Sequence, residues 1–330
     1  MDKCRYNTYS EHLVKKFGHK VYKLPVNLPG TCPNRDGTLG RGGCIFCDEE
    51  GAGFDALPNS FTVREQLARN RERFRRRFGA DKFIAYFQAF TNTYLPPERF
   101  AANIGAAAEE EDIVGISVST RPDCISEQYL DILAEIARKR SLDINVELGL
   151  QTVNYHTLKK INRGHTLAEF LDSVQRVHRR GFEICVHLIL NLPWDDRDDV
   201  IENAKILSAL NVRYVKLHSL YVVQGTVLGD MYQRGEFQII SLQDYVRRII
   251  TFLEYLDPGI VIQRLVGKGP QEKVLFCNWD TSWWKVKTEL ERLMEQEGTW
   301  QGRKFDYLGG KALMQFSSSQ ESGDRSQESE

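Results

Sequence analysis

Three of the seven cysteines stand close enough in the sequence to bind one metal centre. Cys44 and Cys47 form a C-x-x-C pair, and Cys32 stands twelve positions before Cys44. The loop between Cys32 and Cys44 is rich in glycine, which leaves its backbone free to fold around a cluster. Thiolates are ligands of both zinc and iron–sulfur clusters. The segment therefore predicts a metal centre.

Three chemistries compete for a cysteine pair of this kind. A structural zinc site takes four ligands, and the nearest histidine, His19, lies upstream of the loop. A thioredoxin-type dithiol uses the pair alone and leaves Cys32 unexplained. A [4Fe-4S] cluster on three cysteines keeps one iron open for a cofactor or substrate. The spacing by itself leaves the open cluster and zinc as alternatives.

Apolar, β-branched runs alternate with amphipathic segments over the first two thirds of the chain. We predict strands at 20–26, 82–89, 113–119, 143–149, 184–190 and 213–219. The helices are predicted at 61–77, 97–110, 126–140, 154–160, 166–180 and 196–210. Nearly continuous apolar strands that alternate with helices favour parallel βαβ units. The sequence predicts an open α/β barrel of six units, with a doubly wound sheet as the alternative, and both fold types gather chemistry at the strands' carboxyl ends.

The rhythm of strands and helices changes after residue 224. We predict a core at 1–224 with the cluster loop at 32–47, a C-terminal extension at 225–316 and a disordered tail at 317–330. The extension contains predicted helices near 242–256 and 279–296 and a short strand at 259–265. The tail is rich in serine, glutamine and glutamate, which is typical of disorder.

Composition indicates a protein of the cytoplasm. Hydrophobic residues make up 42% and charged residues 27% of the chain, which is ordinary for a globular protein. No apolar run approaches the ~20 residues that span a bilayer, so we expect no membrane partner. The polar N-terminus lacks the apolar core of a secretory signal. Cysteines in such a chain favour metal or redox chemistry over disulfides; Cys4, Cys124, Cys185 and Cys277 are interpreted as ordinary thiols.

The residues around the pair resemble the radical-SAM superfamily. Its last two cysteines flank one variable and one aromatic residue, as in Cys44-Ile45-Phe46-Cys47. The longer first gap resembles the catalytic subunit of Elongator. The segment T-C-P-N-R-D-G-T followed by G-G-C-x-F-C resembles the signature of the YhcC/YtqA family, and this resemblance runs from about Tyr6 to about Asp280.

The resemblance implies a partial (β/α)6 radical-SAM barrel and two cofactors. Cys32, Cys44 and Cys47 would hold a [4Fe-4S] cluster whose open iron binds S-adenosylmethionine. Reductive cleavage would give methionine and a 5′-deoxyadenosyl radical that abstracts hydrogen from the substrate. The protein then needs a one-electron donor of the flavodoxin or ferredoxin type.

The resemblance also implies contacts to S-adenosylmethionine at the strand ends. The segment ELGLQTVNYHTLKKINRGHT resembles the fourth-strand region of oxygen-independent coproporphyrinogen oxidase and of Elongator-type enzymes. A strand-end glutamine and an arginine twelve residues later contact the cofactor there, and Gln151 and Arg163 match them. A guanidinium fork suits the methionine carboxylate. The further candidates for cofactor contacts are Ser119, Thr91, Asn92 and His187, although His187 also fits a core histidine.

For the substrate, the resemblance implies tRNA modified at the C5 side chain of the wobble uridine, by a transferase or lyase. A small metabolite or a tetrapyrrole is the alternative substrate, and a non-catalytic zinc or iron–sulfur protein is the third hypothesis. Basic stripes within 69–78, 137–140 and 174–180 could contact RNA phosphates, but solvated helix faces look the same. Three tryptophans of the extension, Trp279, Trp283 and Trp284, could stack on bases, although we expect them to pack the extension onto the barrel.

Overall fold

Seven parallel strands form one curled sheet in the computed structural model, which describes residues 4–48, 56–267, 269 and 273–313. Six of them follow one another across the sheet in chain order, and the seventh comes from the C-terminal part of the chain. The strands are β1 (Val21–Asn27), β2 (Lys82–Gln88), β3 (Ile113–Thr120), β4 (Asp143–Gln151), β5 (Glu183–Ile189), β6 (Tyr214–His218) and β8 (Val261–Arg264). Two further strands, β7 (Val222–Val223) and β9 (Val274–Phe276), form a separate antiparallel pair.

Helices return the chain between successive strands, so that each strand pairs in parallel with the next. The helices of the barrel are α1 (Tyr9–Phe17), α2 (Val63–Phe78), α3 (Pro97–Ala108), α4 (Glu127–Arg140), α5 (Tyr155–Lys160), α6 (Leu167–Arg179) and α7 (Arg197–Ala209). The helices that follow are α8 (Val227–Gln233), α9 (Leu242–Tyr255) and α10 (Trp283–Gln296). Capping boxes at Thr62, Thr166 and Asp196 mark the starts of α2, α6 and α7.

The structure confirms the predicted partial barrel and adds a seventh strand to it. The segment predicted at 259–265 as a strand of the extension is β8, which lies beside β6 in the same sheet. Its other side meets the N-terminal segment, since the Ile262 N–H donates to the Asn7 carbonyl at 2.8 Å. Apolar patterning indicates a strand but does not specify its partner, so the sequence predicts this strand without its place beside β6.

The two faces of the sheet have opposite character. Side chains that point toward the helices are apolar and buried, as at Leu24, Phe87, Val118 and Val146. The alternate positions point into the barrel and include polar and charged side chains. Helix α1 closes the amino-terminal end of the barrel, where Leu13 packs against residues at the start of β1 and β2. Access to the interior is therefore from the carboxyl ends of the strands, which we call the mouth.

Among the described residues, none of the helices has both the length and the apolar character that crossing a bilayer requires. The predicted disordered tail at 317–330 lies outside the described residues.

Candidate active site

The loop that carries the three cysteines follows β1 and folds over the mouth of the barrel. Two tight turns begin at cysteines, since the Arg35 N–H donates to the Cys32 carbonyl at 2.8 Å and the Cys47 N–H to the Cys44 carbonyl at 2.9 Å. Gly43 has a φ of +77°, and an added Cβ would lie 2.9 Å from Arg35 Cγ. A glycine is therefore required there. Cys44 is buried, and Cys32 and Cys47 are half-buried thiols free of disulfides.

A pair of asparagines fastens this loop to the segment that follows α5. Asn34 Nδ2 donates to the Asn162 carbonyl at 2.7 Å, and Asn162 Nδ2 donates to the Gly43 carbonyl at 2.7 Å. The Ile45 N–H adds a bond of 3.1 Å to the Ile161 carbonyl. These contacts join positions more than a hundred residues apart and bring Arg163 to the cysteines.

Two guanidinium groups donate to the cysteine sulfurs. Arg163 Nη1 lies 3.4 Å from Cys44 Sγ, and Arg35 Nη1 lies 3.5 Å from Cys47 Sγ. Burial raises the pKa of the Cys47 thiol to about 11, and the neighbouring Arg35 opposes that rise. Metal binding requires thiolates, so both arginines favour the ligand form of these cysteines and any negative charge on a bound cluster.

Gln151, Gly149 and Arg163 meet directly behind the loop. Arg163 Nη2 donates to the Gly149 carbonyl at 2.6 Å, and a Cβ added at Gly149 would lie 2.8 Å from that nitrogen and 3.2 Å from Gln151 Nε2. Arg163 is only 7% exposed, and within the described part of the chain its Nε has no hydrogen-bond partner. The structure therefore brings Gln151 and Arg163 together and leaves the Nε–H of the guanidinium unpaired among the described residues.

Sequence reasoning missed a residue that holds Arg163 in place. Arg121 Nη1 donates to the Arg163 carbonyl at 2.8 Å, and the Arg121 fork binds Asp123 at 2.8 and 2.7 Å. Arg121 is almost fully buried. An arginine and an aspartate around a proline directly after β3 were the available signal, since charged residues at a strand's carboxyl end commonly serve a site.

Among the described residues, no hydrogen bond joins the other candidates for cofactor contacts to Arg163. Asn92 Nδ2 donates to three backbone carbonyls, including that of Ser119 at 2.9 Å, and so fixes the turn after β2. The hydroxyl of Thr91 is buried and has no partner within the described residues. Ser119 Oγ donates to the Tyr86 hydroxyl at 3.0 Å. His187 Nε2 donates to Glu147 at 2.6 Å, since a carboxylate only accepts.

Ser119 thus contacts a polar layer inside the barrel, and His187 belongs to it. The sequence analysis did not identify this layer. We call this set of inward-pointing side chains the interior layer; its members are Lys23, Tyr86, Ser117, Glu147, His187 and Lys216. Glu147 is fully buried at its centre and accepts from Ser117 Oγ at 2.6 Å, Lys216 Nζ at 3.0 Å and Lys23 Nζ. The signal was a charged residue within each of the strand runs KVYKLPV, DINVELG and RYVKLHS.

The electrostatics of the interior layer are dominated by this shared carboxylate. Burial alone would raise the pKa of Glu147, but Lys216 and Lys23 hold it well below its usual range. Burial lowers the pKa of Lys216 to about 8, against the effect of Glu147. Burial and Lys216 together lower the pKa of His187 to about 4. At neutral pH the layer therefore contains one carboxylate, two ammonium groups and a neutral imidazole.

A second group of potential metal ligands lies away from the cysteine loop. Among the described residues, Glu147, Cys185 and His187 place three ligand atoms within 4.8 Å of one another.

The basic stripes are partly paired with acidic neighbours. Arg71 and Arg75 pair with Asp112, and Arg180 pairs with Glu127 and Asp131. Exposed ion pairs of this kind are typical of solvated helix faces.

The tryptophans of the extension follow the sequence expectation only in part. Trp279 packs as expected, against Tyr245, with ring centroids 4.9 Å apart. Trp283 and Trp284 are 47% and 54% exposed at the start of α10, so they do not pack fully onto the barrel. Their exposed indole rings are available to stack on a partner.

Comparison with known proteins gives the class and then the family. Residues 28–207 match the family model of the Radical SAM superfamily, and residues 212–296 match that of the Radical SAM C-terminal domain. The uncharacterized protein YtqA of Bacillus subtilis is 37% identical over 304 residues, which cover 92% of this chain and 94% of that protein. Protein YhcC of Escherichia coli is 32% identical over 292 residues, with coverage of 88% and 93%. The chain belongs to the radical SAM superfamily and, within it, to the family that contains YtqA and YhcC.

More distant matches are confined to part of the chain or to its fold. A tRNA uridine(34) acetyltransferase of Methanocaldococcus jannaschii is 26% identical over 165 residues, covering 48% of this chain and 28% of that protein. The archaeal Elp3 of Methanocaldococcus infernus, solved with an N-terminal deletion, has a TM-score of 0.65 at 18% identity, covering 85% of this chain and 64% of that chain. The second match shows a shared fold. Membership of the superfamily makes this protein an enzyme that uses a [4Fe-4S] cluster and S-adenosylmethionine and needs a one-electron donor.

Proposed function

We propose that this enzyme modifies tRNA at the C5 substituent of the wobble uridine. The observation that carries the proposal is the cysteine loop fastened to Arg163 at the mouth of an Elp3-like barrel. A relative that covers about half of this chain is a tRNA uridine(34) acetyltransferase, which supports the wobble uridine as the target. The exposed Trp283 and Trp284 offer stacking surfaces for nucleobases.

Cys32, Cys44 and Cys47 would hold the cluster, and the residues behind them would hold S-adenosylmethionine. A cluster held there would supply, once reduced, the electron that cleaves S-adenosylmethionine to a radical able to abstract hydrogen. The unpaired Nε of Arg163 is available to the methionine carboxylate, and Gln151 lies beside it. Ser119, Thr91, Asn92 and His187 complete the proposed contacts around the mouth.

The chain's own residues orient these groups and keep water out. Arg121 fixes the backbone of Arg163, and the asparagine pair Asn34 and Asn162 fixes the loop above it. Helix α1 closes the opposite end of the barrel. A pocket open at one end protects a reactive radical from solvent. A flavodoxin- or ferredoxin-type protein is the proposed electron donor.

The test combines genetics with nucleoside analysis. The gene is deleted in its host, and tRNA nucleosides from both strains are compared by mass spectrometry. We expect the wobble-uridine derivative to change in the deletion strain and to return with the intact gene but not with a Cys44→Ala/Cys47→Ala variant. A profile that the deletion leaves unchanged would contradict the tRNA proposal and favour a small metabolite or tetrapyrrole.

A second assay separates the chemistry from the substrate. The purified protein is reconstituted anaerobically with iron and sulfide, reduced, and assayed for 5′-deoxyadenosine formed from S-adenosylmethionine. Formation in the intact protein but not in the double cysteine variant is expected. Tightly bound zinc with no iron would overturn the assignment of the three cysteines.

A further inference from the structure

The interior layer contains charges that the cluster and S-adenosylmethionine do not require. Layers inside α/β barrels are ordinarily filled by branched apolar side chains. Replacing buried ion pairs with apolar residues of similar volume is often neutral or stabilising. Stability therefore does not explain why Lys23, Glu147 and Lys216 occupy these positions.

The charges in the layer do not balance. Glu147 offers one negative charge to two ammonium groups, whose side chains are 13% exposed at Lys23 and 5% exposed at Lys216. His187 and His218 add no further positive charge, because burial together with neighbouring cations lowers the pKa of each imidazole and favours its neutral form. Among the described residues of the layer, one positive charge is left in excess. The exposed Arg264 on β8 adds to the positive potential at Lys216.

Hydrogen-bond donors in the layer also outnumber acceptors. Each oxygen of Glu147 already accepts from two donors. Within the described part of the chain, Lys23 Nζ donates to Ser117 and Glu147, and Lys216 Nζ donates to Tyr86 and Glu147, so each ammonium can make a third bond. Nearby, His218 Nε2 is buried and has no partner among the residues that the structure describes. Excess donors with excess positive charge form a site suited to an anion.

A metal ion would not fit this site. Glu147, Cys185 and His187 place three potential ligand atoms within 4.8 Å of one another. However, the carboxylate is saturated by donors, and the ammonium groups of Lys23 and Lys216 would repel a cation. Burial also raises the pKa of the Cys185 thiol, which keeps it protonated. The positive charge of the two ammonium groups therefore disfavours a cation at this site, although three potential ligand atoms lie close together.

The position of the layer relates it to the reaction site. Lys216 stands two residues before the end of β6, which places it about 7 Å below the mouth. Tyr86 accepts from both Ser119 and Lys216, so the proposed cofactor contacts and the layer share one hydrogen-bond chain. Because α1 closes the other end, a ligand of the layer would enter from the mouth. A flipped-out base could extend its substituent to this depth.

We propose that Lys23, Lys216 and His218 form a subsite for a carboxylate carried by the substrate. The inference rests on the proposed function, because it assigns this anionic group to the C5 substituent of the base. A carboxylate accepts from two or three donors at once and neutralises the excess charge of the layer.

A first experiment tests the subsite without tRNA, using sodium acetate as the probe. The melting temperature of the cluster-loaded protein is measured in acetate and in chloride at equal ionic strength. We expect acetate to raise it by about 2–4 °C. The rise should vanish in Lys216→Met, persist in the control Lys205→Met outside the layer, and grow in Glu147→Gln, in which acetate can replace the lost carboxylate.

Opposite responses of Lys216→Met and Glu147→Gln distinguish an anion site from a merely structural ion network. Lys216→Met leaves Glu147 paired with Lys23, so we expect it to fold; Lys23→Met serves if it does not. An acetate effect that is absent in the parent protein, or equal in the parent protein and Lys216→Met, would overturn the proposal.

A second experiment identifies the source of the carboxylate. The nucleoside that accumulates in tRNA of the deletion strain should carry an ionised acid group, and Lys216→Met should lower kcat/KM on that tRNA by about 100-fold. Binding of S-adenosylmethionine should change less than twofold. A tenfold loss of that binding would assign the anion to the cofactor and refute the proposal.

The two hypotheses fail in different ways. Accumulation of a nucleoside without an acid group would refute the carboxylate subsite and leave the proposed function intact. No change in any nucleoside would refute the tRNA function, and the acetate experiment would then decide the subsite alone.

Discussion

Both the cysteine loop and the interior layer place cationic side chains beside electron-rich atoms. These atoms are cysteine sulfurs in the loop and carboxylate oxygens in the layer, and the two regions bring the cations to them by different means. In the loop, Arg35 and Arg163 reach the sulfurs through turns and long-range backbone bonds, several at residues with positive φ such as Gly43 and Asn162. In the layer, Lys23 and Lys216 reach Glu147 because alternate side chains of parallel strands point inward. Loops thus set the geometry at the cluster, and strand alternation sets the charge beneath it.

This difference predicts which kind of mutation each region tolerates least. The loop depends on close backbone approach, so added atoms should disrupt it even when charge is unchanged. The layer depends on contacts between buried charges, so changes of protonation should disrupt it even when volume is unchanged. The predictions below compare the two regions.

The largest effect is expected from removing a loop thiolate. Cys44→Ala should abolish cluster assembly and 5′-deoxyadenosine formation, because three cysteines are the fewest that hold a cluster with one open iron. Iron content and product formation are measured after anaerobic reconstitution. The control Cys4→Ala removes a half-buried thiol outside the loop and should retain iron. Retained cluster iron in Cys44→Ala would contradict the assignment.

Two glycine-to-alanine substitutions test whether the close packing of Arg163 against the backbone matters at the mouth. Gly149→Ala should displace Arg163, whose Nη2 would lie 2.8 Å from the new Cβ, and lower stability by about 2 kcal/mol together with affinity for S-adenosylmethionine. Gly105→Ala in α3 meets open space and should stabilise the protein by about 0.5–1 kcal/mol. Urea unfolding and equilibrium binding of S-adenosylmethionine provide the measurements. Unchanged cofactor affinity in Gly149→Ala would argue against a binding role for Arg163.

The layer is tested by pH. The folded state lowers the pKa of His187 from 6.5 to about 4, so the unfolded chain binds more protons between these values, and stability should fall as pH drops from 6.5 to 4. His187→Gln keeps a donor for Glu147 but does not titrate. It should reduce the loss between pH 7 and pH 4.5 by about 2 kcal/mol, measured by urea unfolding. Equal slopes in both proteins would show that His187 is not buried neutral.

Local patterning was sufficient to predict most of the barrel. Strands such as 113–119 and 143–149 are nearly continuous apolar runs, and the structure has them at Ile113–Thr120 and Asp143–Gln151. Helix α1 was missed because its nine residues show only a short apolar stripe that packs against the barrel's end. The pairing of β8 with β6 was missed because partner choice depends on tertiary contacts with the N-terminal segment.

The candidate site, like the fold, has residues that the sequence could predict and residues that it could not. The cysteines could be recognised from their spacing, whereas Arg35 and Arg121 act through contacts that no spacing rule describes. The interior layer was overlooked because an isolated Lys or Glu in an apolar strand suggests an edge position. The layer can be recognised only in the structure, where Lys23, Glu147 and Lys216 from three different strands form hydrogen bonds with one another.

The smallest effect is expected at Arg35, and it separates tuning of the cluster from its assembly. Arg35→Gln removes a positive charge 3.5 Å from Cys47 Sγ, so a cluster should still form but should be harder to reduce. A lost charge-assisted hydrogen bond of about 1 kcal/mol corresponds to a fall of about 40 mV in a one-electron potential. An EPR-monitored redox titration measures this, with Arg234→Gln on the surface as the matched control. A potential equal to that of the parent protein would show that the guanidinium does not influence the cluster, and lost iron would instead assign Arg35 to folding of the loop.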